Sequence, residues 1–448
     1  MTQLPAQDRA PRVGRVALAS YIGTTIEYYD FFIYGLAATL VFRTEFFPGF
    51  SPLAGTLAAL GTFAVGFIAR PIGGILMGHF GDRIGRKAML VTALLTMGIA
   101  TTLIGLLPTY AQIGIWGPIL LVVLRLVQGV GVGGEWAGAV LMAVENAPPR
   151  RRALYGAFPQ LGLPTGIMLS QVAFLVLTSV LPPESFVAWG WRIAFLISAG
   201  LIVVGLVIRL RFEESPRFEQ VKASDAVERR PVVEVLRTGW RQILIGGFGS
   251  IAVGSIGYFV SLFLVQYGVS TLGIASSTML WCLTGVSVLW IAMTLVAGLA
   301  GDAFGRRRTF AAGIVLAIVW VFPSFALFDT RSVPLILLAL AGLVIASSLI
   351  SGPMPSLLTD MFPASVRYSG SSLSYTVGSI LGGGFTPLLS TALLAGTGST
   401  ASVSLLLMAL FAMSLAAFLI GGRLVDRVDD DRAVEVPKRL SDEGVDRV

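Results

Sequence analysis

Charge is scarce in this chain. Only 13% of its 448 residues are Asp, Glu, Lys or Arg, while 55% are hydrophobic and the mean hydropathy is +0.82. A soluble domain carries about 25% charge, so this pool cannot clothe a water-facing surface, and lipid is the solvent it fits. Cysteine is scarcer still: Cys282 stands alone, which excludes an internal disulfide framework and a multi-cysteine metal site. The single histidine, His79, excludes histidine-rich zinc sites, and no metal site is expected. No phosphate-loop lysine motif occurs, so neither ATP as the driving force nor any cofactor is expected. Residues 1–15 are polar and arginine-bearing, and the apolar run behind them outlasts a signal-peptide core, so no cleavable leader is expected. The net charge of +7 and pI near 9.8 would suit nucleic acid, but the placement of the charge argues against that partner.

A helix needs about 20 apolar residues to cross the hydrocarbon core. Such runs lie at 16–41, 53–80, 88–108, 115–143, 154–178, 189–210, 242–266, 273–300, 309–328, 333–358, 368–394 and 400–424. The N-terminus, the loops at 81–87, 144–153, 209–241, 301–308 and 359–367, and the C-terminus together hold 27 of the 32 basic residues. The opposite loops hold two, Arg43 and Arg331, and Arg70, Arg125 and Arg192 fall inside spans. By the positive-inside rule both termini are cytoplasmic and the number of spans is even. The charged stretch 211–241 reads as a linker between two six-helix halves, 16–210 and 242–425, flanked by tails at 1–15 and 426–448. The second tail is charged from Asp426 onward and is expected to be mobile.

The chain repeats itself. Gly81-Asp82-Arg83-Ile84-Gly85-Arg86-Lys87 returns 220 residues later as Gly301-Asp302-Ala303-Phe304-Gly305-Arg306-Arg307, each copy closing the second span of its half. Glu145 and Arg152 lie seven apart after the fourth span, and Asp360 and Arg367 lie seven apart after the tenth. A short turn between packed helices favours glycine, and an aspartate there can cap a helix or meet its positive dipole end. The basic residues anchor the loop to one side and can pair with Glu145 or Asp360. A topological anchor is one reading. Duplication favours the other, a gate latch made of Gly81, Asp82, Arg83, Gly85, Arg86, Glu145, Arg152, Gly301, Asp302, Arg306, Asp360 and Arg367. Two related halves fit a carrier that rocks one half against the other about a midplane site.

Gly78-His79-Phe80-Gly81-Asp82-Arg83-Ile84-Gly85-Arg86-Lys87 resembles the signature loop of the major facilitator superfamily. Arg125-Leu126-Val127-Gln128-Gly129, followed by Gly131-Val132-Gly133-Gly134-Glu135, is similar to its fourth-helix motif. Three more stretches resemble the metabolite:proton symporter branch: Glu27 to Gly35, Gly190-Trp191-Arg192-Ile193, and Val366 to Gly370 with Gly382-Gly383-Gly384. Gly55 to Ala59 and Trp116 to Val122 look most like bacterial shikimate permeases. The resemblance runs from about residue 16 to 425. It implies an all-α membrane protein of twelve transmembrane helices in two pseudo-symmetric halves, in a bacterial inner membrane. Other members of the branch move citrate, 2-oxoglutarate, proline and betaine.

An ionisable group inside a span is a functional candidate by default. Glu27, Asp30 and Tyr34 in the first span are three and four residues apart, hence on one stripe. Two carboxylates one turn apart repel when both are ionised, which makes Asp30 and Glu27 the candidate proton carriers. A structural ion pair with Arg125 or Arg70 is the alternative. Arg125 and Gln128 are candidate substrate ligands, Arg125 through bidentate capture of a carboxylate or, alternatively, as a permanent partner of Asp30. Arg70, followed by Pro71, reads as a packing residue, and Arg192 as an interfacial anchor. The second half has no charge deep in a span, so Tyr258, Gln266, Trp281, Ser351 and Tyr375 are its neutral candidates; Tyr34, Tyr258 and Tyr375 join the expected substrate site. No nucleophile with its base is visible, so an enzyme is not expected. The expected function is proton-coupled import of a small polar organic acid such as shikimate by alternating access. Symport of di- or tricarboxylates or of a zwitterionic osmolyte such as proline or betaine, and a transporter-like sensor, are the alternatives. The expected partners are the small substrate, protons and the lipid membrane, without nucleic acid, and the chain is expected to act as a monomer.

Overall fold

In hydrocarbon every backbone polar group must be satisfied within the protein, which leaves helices or closed barrels as spanning elements. The structure, a computed structural model, describes residues 6–84, 86–210, 231–362 and 366–442, side chains excepted at 6–13, 15, 78–79, 81–84, 86–87, 231 and 422–442. All its regular elements are helical, with no strand among the described residues. Eleven helices there are long and apolar enough to cross a membrane. The twelfth by position is the first helix, Ala6–Leu40, which carries Glu27 and Asp30 and is correspondingly less apolar.

After the first span, Ala6–Leu40, come the second, Pro52–Ile84, and the third, Arg86–Leu106. The fourth, fifth and sixth are Trp116–Glu145, Pro149–Val180 and Pro183–Leu210. The seventh to ninth are Trp240–Thr271, Ser276–Phe304 and Arg306–Asp329. The tenth and eleventh are Val333–Asp360 and Arg367–Thr397, and the last helix runs Thr400–Asp442. All twelve lie where the apolar runs place them, and the ends differ. The last helix continues well past Asp426, where the sequence suggested a mobile tail; no glycine follows Gly422 until Gly444 to end it earlier. Of the expected linker, 211–230 lies outside the described residues, and Pro231–Thr238 is a short helix.

Small residues let the spans approach closely. A Cβ at Gly73 would lie 2.0 Å from the Val130 carbonyl oxygen, and one at Gly133 would lie 2.0 Å from that of Arg70. The second and fourth spans therefore touch backbone to backbone, and this seam fixes Arg70. In the other half a Cβ at Gly382 would come 2.3 Å from the Ile251 carbonyl, so the seventh and eleventh spans meet alike. Gly73→Ala is expected to destabilise the folded protein by about 2–3 kcal/mol, since backbone cannot yield as a side-chain tip can. Thermal unfolding of the purified variant checks this; an unchanged midpoint would mean that the seam relaxes freely.

Both spans of the second half that border the centre contain wide turns, Phe259–Phe263 and Tyr267–Thr271 in the seventh and Ile380–Gly384 in the eleventh. Such π-helical turns collect at functional sites in helices. The fifth span packs along the eighth and the second against the eleventh, bringing the halves together.

A candidate transport site between the halves

Between the halves lies a cavity of about 10 Å³, room for about one water. Glu27, Arg70 and Trp136 line it from the first half, and Ser372, Tyr375 and Thr376 from the second. Tyr375 lies flat against Trp136, with ring centroids 3.9 Å apart and planes 4° from parallel. Its hydroxyl meets that of Tyr28 at 2.8 Å. One tyrosine of the second half is thus clamped by two aromatic residues of the first, beside a carboxylate and a guanidinium.

Arg70 is 3% exposed and its Nε and Nη2 have no hydrogen-bond partner in the protein. Its guanidinium lies 4.6 Å from the Phe31 ring and 4.4 Å from the Phe67 ring, and Glu27 Oε2 is likewise without a partner. Glu27 and Arg70 face each other's charge across the cavity, while the two guanidine nitrogens and Glu27 Oε2 lack hydrogen-bond partners, an arrangement that is costly when buried. Read from the sequence as a packing residue, Arg70 does pack on Phe31 and Phe67, and it also borders the cavity, because the glycine seam draws the second span inward.

Arg125 stands behind this cavity. It is fully buried, over Phe31 at 3.9 Å, Tyr34 at 4.1 Å and Phe63 at 4.8 Å. Its Nη1 donates to Gln128 Oε1, while Nε and Nη2 are unpartnered. Gln128 Nε2 donates to the Thr101 hydroxyl at 2.8 Å, and the Tyr34 hydroxyl donates to Thr62 at 2.7 Å. Arg70 and Arg125 therefore share the ring of Phe31. Asp30, fully buried, accepts from the Ser198 hydroxyl at 2.6 Å and keeps Oδ2 without a partner. Tyr258 stacks on Phe32 at 5.1 Å and packs edge-on to Phe31, Phe63 and Phe67.

Other candidates lie away from the cavity. Trp281 is 64% exposed on the outer surface. Gln266 Oε1 accepts from Thr391 at 3.3 Å, and the Ser351 carbonyl accepts from Gln160 at 3.4 Å. Arg192 Nη1 donates to the Gly105 and Leu107 carbonyls at 3.0 and 2.6 Å, tying down the end of the third span. Two residues that the sequence did not single out matter here. Arg209 forms a buried ion pair with Glu135, and Ser198 is the partner of Asp30.

At the end bearing the glycine-aspartate loops, Asp302 accepts from the backbone N–H groups of Ala153 at 2.9 Å and Leu154 at 3.0 Å. It thus caps the fifth span, in the other half. Arg152 pairs with Asp360 at 3.0 Å, Arg306 with the same carboxylate at 2.6 Å, and Arg367 with Glu145 at 3.7 Å. The two acid-arginine pairs seven apart exchange partners between halves. The Tyr368 hydroxyl donates to the Gly134 carbonyl at 2.6 Å and Ser372 to that of Gly133 at 3.2 Å. The side chains of Asp82, Arg83 and Arg86, between Gly81 and Lys87, lie outside the described residues, and Gly85 lies outside them altogether, so the first copy of the repeat is not part of this picture.

Twelve spans closing on a buried polar cavity define a polytopic membrane transporter. The profile of the Major Facilitator Superfamily matches residues 20–387, and the chain belongs to that superfamily, whose members are transporters rather than enzymes. It is 44% identical over 413 residues to the inner membrane metabolite transport protein YhjE of Escherichia coli (strain K12), covering 91% of this chain and 93% of that one. It is 40% identical over 412 residues to the shikimate transporter of the same strain, covering 89% and 92%. The fold is similar to that of the proton:xylose symporter XylE, with a TM-score of 0.72 at 20% identity over 92% of this chain and 96% of that one.

Proposed function

We propose that the protein is a proton-coupled symporter that imports a small polar organic acid, shikimate or a related carboxylate, by alternating access. The observation that carries this reading is Arg70, buried with two unpartnered guanidine nitrogens, beside Glu27 in the cavity between the halves. In this reading the halves part to admit the substrate, Arg70 receives its carboxylate, and Tyr375, Trp136 and Tyr28, which fill the space in this closed form, separate to frame the rest of the molecule. Arg125 and Gln128 stand behind Phe31 as a second cationic layer, with Tyr34 and Tyr258 shaping it. Asp30 and Glu27 carry the proton. Similarity to a shikimate transporter supports the substrate class. The basic loops support cytoplasmic termini in a bacterial inner membrane, and a single chain holding both halves supports a monomer with halves at 16–210 and 242–425.

A second reading, symport of a zwitterionic osmolyte, draws on the aromatic clamp beside Glu27, since rings and a carboxylate together suit a quaternary ammonium group. The test is uptake into proteoliposomes under an imposed pH gradient, across shikimate, other carboxylates and betaines. Carboxylate accumulation that collapses with the gradient is expected, and Asp30→Asn is expected to abolish uphill accumulation while some exchange survives. Wild-type accumulation by Asp30→Asn would remove the residue from coupling, and accumulation of betaines alone would transfer the conclusion to the second reading.

A further inference from the structure

The first half holds a buried ion pair that the transport site leaves unused. Arg209, in the last turn of the sixth span, donates from Nη2 to Glu135 Oε1 of the fourth span and from Nη1 to the Leu90 carbonyl of the third. Glu135 is 1% exposed, and its Oε2 has no partner. The guanidinium also lies across Gly23 of the first span. The nearest atoms to a Cβ at Gly23 would be Arg209 Nη2 at 3.0 Å, Nε at 3.7 Å and Cζ at 3.8 Å. Gly23 and Glu27 are four residues apart, hence on one stripe of that helix. Arg209 therefore stands about one turn from Glu27, and the two charges act on each other. Glu27 Oε2 is without a partner as well. One guanidinium thus lies between two buried carboxylates, each with an unpartnered oxygen, and it is held by the one that does not line the cavity. A static ion pair needs two members only. Here a glycine keeps the way to a third open.

We propose that Arg209 is the counter-ion for proton release: it rests on Glu135 while Glu27 is protonated, and it turns across Gly23 to bridge both carboxylates once the proton leaves. The proposal rests on the reading of Glu27 as a proton carrier. An ionised carboxylate buried without a compensating cation is costly, and a cation close by favours the ionised form. A guanidinium has donors enough for two carboxylates at once. The other groups that bear on Glu27 are Arg70 of the second span, Asp30 and Tyr28 of its own span, Tyr258 of the seventh and Tyr375 of the eleventh. Arg70 is the only other cation among them. It is held against Phe31 and Phe67 on the cavity side, where the transport reading commits it to the substrate carboxylate. Arg209 then lets Glu27 give up its proton while Arg70 is occupied. It is a positioning residue for the coupling step, and Glu135 is its resting place.

The test is infrared difference spectroscopy of the purified full-length protein in nanodiscs across a pH series, without substrate. The protonated-carboxyl band that disappears in Glu27→Gln reports Glu27, and the pH at its midpoint is the readout. Arg209→Gln is expected to move the midpoint up by about one pH unit. Arg209→Lys, which keeps the charge and guards against a fold lost in Arg209→Gln, is expected to move it up by less. Glu135→Gln leaves Arg209 to Glu27 alone and is expected to move the midpoint down. Gly23→Ala alters no charge but sets a methyl against the guanidinium, and it is expected to move the midpoint up. Arg209→Gln and Glu135→Gln break the same ion pair, so opposite movements support the counter-ion, whereas a purely structural pair responds alike to the loss of either member. A midpoint unmoved in both variants, or moved the same way in both, overturns the proposal, as does the absence of any Glu27 band. A midpoint unmoved in Gly23→Ala overturns the turn across that glycine. The transport reading fails separately, if the parent accumulates no substrate under a pH gradient, because the band is read without transport.

Discussion

Arg70→Gln is expected to remove carboxylate binding almost completely. The side chain is buried, held in place by Phe31 and Phe67, and leaves two nitrogens aimed at no protein acceptor. Losing a buried charged partner costs about 2–5 kcal/mol, a fall in affinity of roughly 30-fold or more. Arg70→Lys keeps the charge but loses the planar fork, and it is expected to recover only part of the loss. Arg125→Lys is expected to be impaired too, because its contacts with three rings and Gln128 are specific to a flat guanidinium. Substrate binding measured on purified variants decides the matter. If Arg70→Gln binds as the parent does while Arg125→Lys does not, the carboxylate belongs with Arg125, and the cavity beside Glu27 is a proton passage only.

Asp302→Ala is expected to open the loop-bearing end. Both oxygens of Asp302 accept backbone N–H groups at the start of the fifth span, in the opposite half. The bonds exist only while the two ends touch, so they weight one state of the carrier against the other. A cap of this kind contributes about 1–2 kcal/mol, which changes the ratio of states by roughly five- to thirtyfold. In a Cys282→Ser background, Ser372→Cys lies where the halves meet, against Gly133. Its labelling by a thiol reagent from that side should speed up by a similar factor when Asp302 is replaced, and transport should slow, with substrate affinity little altered. Unchanged labelling together with lost binding would return the loop to the role of a topological anchor.

The spans were legible because long apolar runs separated by arginine-rich loops leave little choice of fold. Even the first span, with two acids inside it, is placed by what surrounds it. The loop residues were legible as a repeat, and so was the pairing of a loop arginine with Asp360, but the partners of Arg152 and Arg367 were not. Spacing joins Glu145 to Arg152 and Asp360 to Arg367 along the chain, whereas the structure pairs them across the halves, a contact that no local pattern carries. Arg209 counted among the loop charges because it ends its span, yet its side chain turns back to Glu135. Ser198 as partner of Asp30 looked like any small packing residue. Arg70 was obscured by Pro71, and its place became visible only with the glycine seam between the second and fourth spans. Trp281 misled in the opposite direction: in a helix that is apolar all round, periodicity does not separate the lipid face from the inner one.

The crossed ion pairs also bear on ancestry. Glu145 meets Arg367 and Asp360 meets Arg152, and each member of one pair is displaced by 215 residues from its counterpart in the other. In a twofold dimer of identical subunits, residue i of one copy meets j of the other, and j meets i. The two halves keep that reciprocity although they are now one chain. An early six-helix unit carrying one acid and one arginine at this end would have assembled as a homodimer through the same contacts. Fusion of two duplicated copies would make such a dimer permanent and free each half to diverge, the first alone keeping the buried charges.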